Sequence, residues 1–257
     1  MVIIDVEHFD ALIFDLDGVI TQTASIHAGS WKQLFDEFLA RRATETGGAF
    51  VPFDPENDYR RYVDGKLRIA GVASFLAARG ITISTGAPGD QADQETAHGL
   101  ASRKDRYFVE LLTHEGVHVS ASAEPLLREA RRCGMRTAVA SSSHHCGEIL
   151  HAAGLTVLFD ARIDGVDLDR LGLPGKPAPD MFLEAARRLN VVPPRTAVFE
   201  DAAAGVEAAR AGSFGLIVGV ASAARAADLL KHGADDVVDD LGKVRLEGTR
   251  TSGKGPQ

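Results

Sequence analysis

The stretch ALIFDLDGVITQT, Ala11 to Thr23, decides how the rest of the chain is read. Four apolar residues, Ala11 to Phe14, run into two acids one residue apart, Asp15 and Asp17, and then into Gly18. A short apolar run of this kind reads as a buried strand. Residues two apart in an extended segment point the same way, so both carboxylates approach one place as the strand ends. Carboxylates are costly to desolvate unless paired or metal-bound. The plain alternative is a capped, solvent-exposed turn, and Gly18 suits either reading because it lets the chain turn sharply.

The same pattern recurs further along. RTAVASSS (Arg136–Ser143), FDARID (Phe159–Asp164), RTAVFED (Arg195–Asp201), FGLIVGV (Phe214–Val220) and DDVVDD read as further strands, with helical patterns between them. Apolar strands alternating with helices indicate a parallel sheet covered on both faces, a Rossmann-like α/β core. In such a sheet ligands bind beyond the carboxyl ends of the strands. Four strand ends here carry polar residues: Asp15 and Asp17, Ser141 and Ser143, Asp164, and Glu200 and Asp201. A loop lysine, Lys176, precedes another helix. This coincidence turns the reading of Asp15 and Asp17 from a turn toward chemistry.

Residues 24–117 break the rhythm. HAGSWKQLFDEFLARR and LRIAGVASFLAAR are amphipathic helical patterns, interrupted by the loops TGGAFVPFDPEN and TGAPGDQADQ. The expected organisation is a core domain of residues 1–23 and 118–257, with a helical module, 24–117, inserted after the first strand. The polar, Gly-rich tail 248–257 is expected to be disordered.

The chain of 257 residues has a net charge of −8, a poor general ligand for nucleic acid or anionic membrane. No apolar run reaches the ~18 residues of a membrane span. The two cysteines, Cys133 and Cys146, form no CxxC pair, which argues against a zinc or disulfide framework. The expected setting is the cytoplasm, since acids stand where a signal peptide would be basic, with no nucleic-acid or membrane partner. A monomer is the default.

FDLDGVI with the following Thr23, His27 and Trp31, KPAPDMF (Lys176–Phe182) and FEDAAAGVEAA (Phe199–Ala209) resemble the haloacid dehalogenase superfamily of phosphoryl-transfer enzymes. More narrowly they are similar to its beta-phosphoglucomutase branch, over about Phe9 to Asp240. The resemblance implies Asp15 as a nucleophile forming an aspartyl-phosphate, and Asp17 as general acid/base. It implies a Mg2+ site formed by Asp15, Asp17 (also through its main-chain carbonyl), Glu200 and Asp201; for Asp201 alone, helix capping is the plain reading. Ser141 would donate to the phosphoryl oxygens, where otherwise it would cap a helix. Lys176 would neutralise Asp15 and the phosphoryl group, and Pro177 and Pro179 would stiffen its loop.

The inserted helices look like the family's cap, which excludes water and meets the non-reacting part of a small phosphorylated sugar or metabolite. Substrate contacts implied are Thr23, His27, Gly65, Arg68 and Ser143, with Arg103 or Lys104 adding charge. One departure stands out. His144 and His145 occupy positions where the branch has a basic residue and then asparagine. A histidine can still donate to, or when protonated bind, a distal phosphate. Gln22 also replaces a commonly acidic residue. Two enzyme readings follow: a mutase interconverting beta-glucose 1-phosphate and glucose 6-phosphate, and a phosphatase of a small phosphorylated metabolite, which the histidines favour. A silent binding domain and a dehalogenase proper stand further back, since all the expected acids, including the Glu200–Asp201 pair, are present.

Overall fold

A computed structural model describes residues 1–248; the tail from residue 249 on, expected to be disordered, lies outside the described residues. The chain divides into two compact units. One comprises Met1–Thr21 and the chain from Val119 onward, the other Gln22–His118.

The first unit is built on a six-stranded parallel sheet. After a short β1 (Val2–Asp5) come β2 (Ala11–Phe14), β3 (Arg136–Ala140), β4 (Ala161–Ile163), β5 (Thr196–Glu200), β6 (Leu216–Val220) and β7 (Asp236–Val238). The sheet order is β4-β3-β2-β5-β6-β7, with Phe14 opposite both Val139 and Phe199. β2 and β5 are buried along their whole length, and β2 and the Ala197–Phe199 stretch of β5 read as apolar runs. The Phe14 and Phe199 rings stack across the pair at 4.6 Å. The chain runs outward from β2 to β4, then returns to β5 on the other side of β2. This reversal opens a crevice between β2 and β5, the place where doubly wound sheets bind ligands.

The helices of this unit are α4 (Ala123–Arg132), α5 (Cys146–Ala152), α6 (Gly165–Leu171), α7 (Asp180–Leu189), α8 (Ala203–Ala211) and α9 (Ala223–His232). Two strands escape the sequence reading. β1 pairs in parallel with β8 (Val244–Glu247), from Val2 opposite Val244 to Asp5 opposite Glu247. Four-residue strands 242 positions apart carry no local sign that they belong together.

The second unit contains α1 (Ala24–Thr46), a π-helical turn at Tyr59–Val63, α2 (Arg68–Ala78) and α3 (Ala97–Glu115). Its only strand-like feature among the described residues is an isolated bridge between Ser84 and Thr96. α1 buries Trp31, Leu34, Phe35, Phe38 and Leu39 along one stripe. Phe35 lies at the centre, 4.1 Å from the Phe75 ring, 5.2 Å from Trp31 and 5.3 Å from Phe53. Phe53 comes from the Pro-containing loop after α1, so that insertion packs into the unit's core. Thr96 caps α3 by accepting from Gly99 N at 3.0 Å.

Candidate active site

The site grows out of the ends of β2 and β5. Pairing continues one residue past β2, where Asp15 N donates to Phe199 O at 2.9 Å, and this sets Asp15 beside Glu200. Lys176, from the loop between α6 and α7, completes the group. Its Nζ donates to Asp15 Oδ1 at 2.5 Å and also to Glu200 Oε1. It lies 4.9 Å above the Phe182 ring, and its side chain is fully buried. The other Glu200 oxygen accepts from Ala202 N at 2.9 Å, so protein donors meet both oxygens.

A buried ammonium between two carboxylates is held charged. Burial acts to lower the Lys176 pKa, but Asp15 and Glu200 outweigh it and keep it above the ordinary lysine value. For Asp15 the balance goes the other way. Burial pushes its carboxyl up, Lys176 pulls it down, and Glu200 and Asp17 push it up again, leaving it well above the usual carboxylate range.

Asp17, half-buried, accepts from Ser141 Oγ at 3.4 Å. The Ser141 hydroxyl is in turn fixed by Ser143 N at 3.1 Å, and Ser143 Oγ accepts from His145 N at 3.2 Å. Asp201, just past β5, reaches back to the turn after Asp17. A side chain at Gly18, whose φ is +88°, would fall on the Asp201 carboxylate. Arg225, on α9, donates to Asp201 O at 2.7 Å. No motif marked Arg225 as a neighbour of the site.

The two histidines face acids of their own unit. His144 Nε2 lies 2.7 Å from Asp169 Oδ2, and His145 Nδ1 lies 3.0 Å from Glu148 Oε2. An ionised carboxylate only accepts, so each ring donates at that nitrogen.

Within the helical unit, Thr23 precedes α1 and its carbonyl accepts from His27 N at 3.0 Å. Lys104 is almost completely buried. Its Nζ lies 2.8 Å from His27 Nδ1, 4.6 Å from the Phe108 ring and 5.4 Å from Trp31. An ammonium offers only donors, so His27 Nδ1 accepts and the ring proton sits on Nε2. Lys104 is thus partnered to His27, a pairing that reading the sequence missed. Arg103 Nε is spent on Ala92 O at 2.6 Å, holding the 84–96 loop. Arg68 pairs with Asp105, and Gly65 turns the chain with φ +70°.

A family model of haloacid dehalogenase-like hydrolases matches residues 9–212. The chain belongs to this family. Its relatives place it in the beta-phosphoglucomutase-like branch. It is 47% identical over 241 residues to a beta-phosphoglucomutase of Mycobacterium tuberculosis, covering 93% of this chain and 92% of that protein. A Bacillus subtilis beta-phosphoglucomutase is 32% identical, with 90% and 92% covered. Among solved structures, a beta-phosphoglucomutase from Clostridium difficile matches with a TM-score of 0.70 at 26% identity, covering 91% and 92%. The chain is accordingly an enzyme, a haloacid dehalogenase-like phosphotransferase or hydrolase with an α/β core. No helix among the described residues is long and apolar enough to cross a membrane.

Enzymes of this family generally use a divalent metal. Among the described residues no three His, Cys, Asp or Glu side chains are grouped to hold an ion. The donor chemistry nevertheless fits one. Asp15 and Asp201 offer carboxylates and Asp17 a main-chain carbonyl, the hard oxygen set that magnesium completes with water.

Proposed function

We propose that the protein is a magnesium-dependent beta-phosphoglucomutase, interconverting beta-glucose 1-phosphate and glucose 6-phosphate through a bisphosphate. The observation that carries this reading is the buried Asp15–Lys176 pair at the crevice between β2 and β5, with Asp17 two residues on. The likeness to beta-phosphoglucomutases along nearly the whole chain supports a sugar phosphate as substrate.

Asp15 is the nucleophile. One of its oxygens bonds to a phosphorus of the bisphosphate as the bond to the sugar oxygen breaks, leaving a sugar monophosphate, and Asp17 gives that leaving oxygen its proton. In the second half a different sugar hydroxyl loses its proton to Asp17 and attacks the same phosphorus, freeing the Asp15 carboxylate. Lys176 holds Asp15 in place and faces the transferring oxygens with a fixed positive charge, and Ser141 orients Asp17. Mg2+, held by Asp15, Asp201 and the Asp17 carbonyl with Glu200 beside them, would supply charge neutralisation between carboxylate and phosphate. We assign the helical unit the role of cap, in which Thr23, His27, Gly65 and Arg68 meet the part of the substrate that does not react.

The second reading, a phosphatase passing the same phosphoryl group to water, is favoured by one observation. Both histidines at the expected distal-phosphate position are engaged by acids, Asp169 and Glu148. A single assay separates the readings. Each sugar phosphate is supplied with Mg2+ and a trace of bisphosphate primer, and isomer and free phosphate are measured together. Isomer formation outpacing phosphate release supports the mutase; phosphate release without isomerisation overturns it.

A further inference from the structure

His144 is set up to hold a loop. Its ring lies over the first residue of α6. A Cβ at Gly165 would come within 2.6 Å of His144 Nδ1 and 2.7 Å of Ser142 O, so the ring can cross there only because residue 165 has no side chain. Having crossed, Nε2 meets Asp169 Oδ2, one turn further along the helix, at 2.7 Å. The same crossing point carries a main-chain bond, Gly165 N to Ser143 O at 3.1 Å. Beside it the ring walls a cleft of about 310 Å³ with Arg162, Glu148 and Asp167, so on that side the ring supports the loop where no packed core does.

We infer that His144 is a positioning residue, bonded to Asp169 across Gly165 so as to hold the Ser141–Ser143 turn against α6. The turn has one consequence for chemistry. Ser143 N fixes the Ser141 hydroxyl, which donates to Asp17. Asp169, an exposed residue touching nothing in the crevice, therefore acts on the acid/base residue through His144 and the serine turn. A small misplacement passed along such a chain is enough to slow a reaction about 10- to 100-fold. This assignment rests on the proposed role of Asp17 for its kinetic effect, but not for the strap itself.

The test compares D169A, D169N and H144A with the parent enzyme, using whichever phosphate ester the parent turns over. D169A and H144A are expected to lower kcat about tenfold with KM within about twofold, and to be no worse combined than singly. D169N, which keeps an acceptor for His144 Nε2, is expected to stay within about twofold of the parent in both. If H144A raises KM at unchanged kcat while D169A changes neither, His144 is a phosphate ligand and the inference is wrong. NMR of the histidine ring reads the strap without turnover. A hydrogen-bonded Nε2 proton on His144, lost in D169A and kept in D169N, supports it; the same ring signal in all three proteins overturns it. A parent enzyme inert on every phosphate ester would sink the proposed function while leaving this ring measurement to decide the strap.

Discussion

Lys176 Nζ and Asp15 Oδ1 lie 2.5 Å apart although 161 positions separate the two residues in the chain. The lysine also meets Glu200, and its side chain is fully buried. Removing it leaves two carboxylates buried without their cation. K176M is therefore expected to abolish turnover and to cost about 3–5 kcal/mol of stability, measured by urea denaturation. Adding E200Q should return part of that loss. A K176M protein as stable as the parent would mean that the carboxylates are neutralised by something other than this lysine.

Gly18 is required twice over, by its φ of +88° and by the Asp201 carboxylate lying where a Cβ would go. G18A must displace one of the two. Since Asp201 is the proposed metal ligand, G18A is expected to weaken Mg2+ binding about 10- to 100-fold, read by calorimetry on the enzyme without substrate. Unaltered binding would remove Asp201 from the metal site.

Acid should unlock α6 from α7. Asp167 receives Arg188 at 2.9 and 3.0 Å and Arg170 at 2.7 Å. The Arg188 bonds above all bring its carboxyl from the ordinary 3.8 down to about 2. A folded-state pKa below the unfolded one adds stability above the unfolded pKa, and that stability is lost as pH falls toward the folded one. D167N should thus have a lower Tm than the parent at pH 6, and the gap should close between about pH 4 and pH 2. A gap independent of pH would assign the effect to packing.

Phe35 anchors the helical unit through Trp31, Phe53 and Phe75. F35A is expected to cost about 3–5 kcal/mol. Hydrogen exchange should speed up in α1, α2 and α3 while β2 and β5 keep their protection. Equal loosening of both units would show that they unfold as one.

The central sheet was readable because a strand buried on both faces must be apolar at every position, as Ala11–Phe14 is. Asp15, Asp17, Glu200 and Asp201 stand out in the sequence because acids that end apolar strands are either caps or chemistry, and Lys176 because of its KPAPD setting; the structure brings Lys176 to Asp15 and Glu200. What escaped notice is pairing at a distance. Nothing local marks Lys104 as the partner of His27, Asp169 as that of His144, or Arg225 as a neighbour of Asp201. Lys104 in particular reads as added charge for the substrate, whereas the structure buries it against His27, Phe108 and Trp31. The histidines at 144 and 145 stand where the branch binds phosphate; in the structure His144 meets Asp169, 25 positions on, and His145 meets Glu148, three positions on.

The pairing of β1 with β8 has a consequence for how the chain matures. Val2 is synthesised 242 residues before its partner, Val244. The six-stranded sheet can assemble from residues 11–238 while the first strand is still waiting. Joining β1 to β8 is then a late step, which waits until Glu247 has been made.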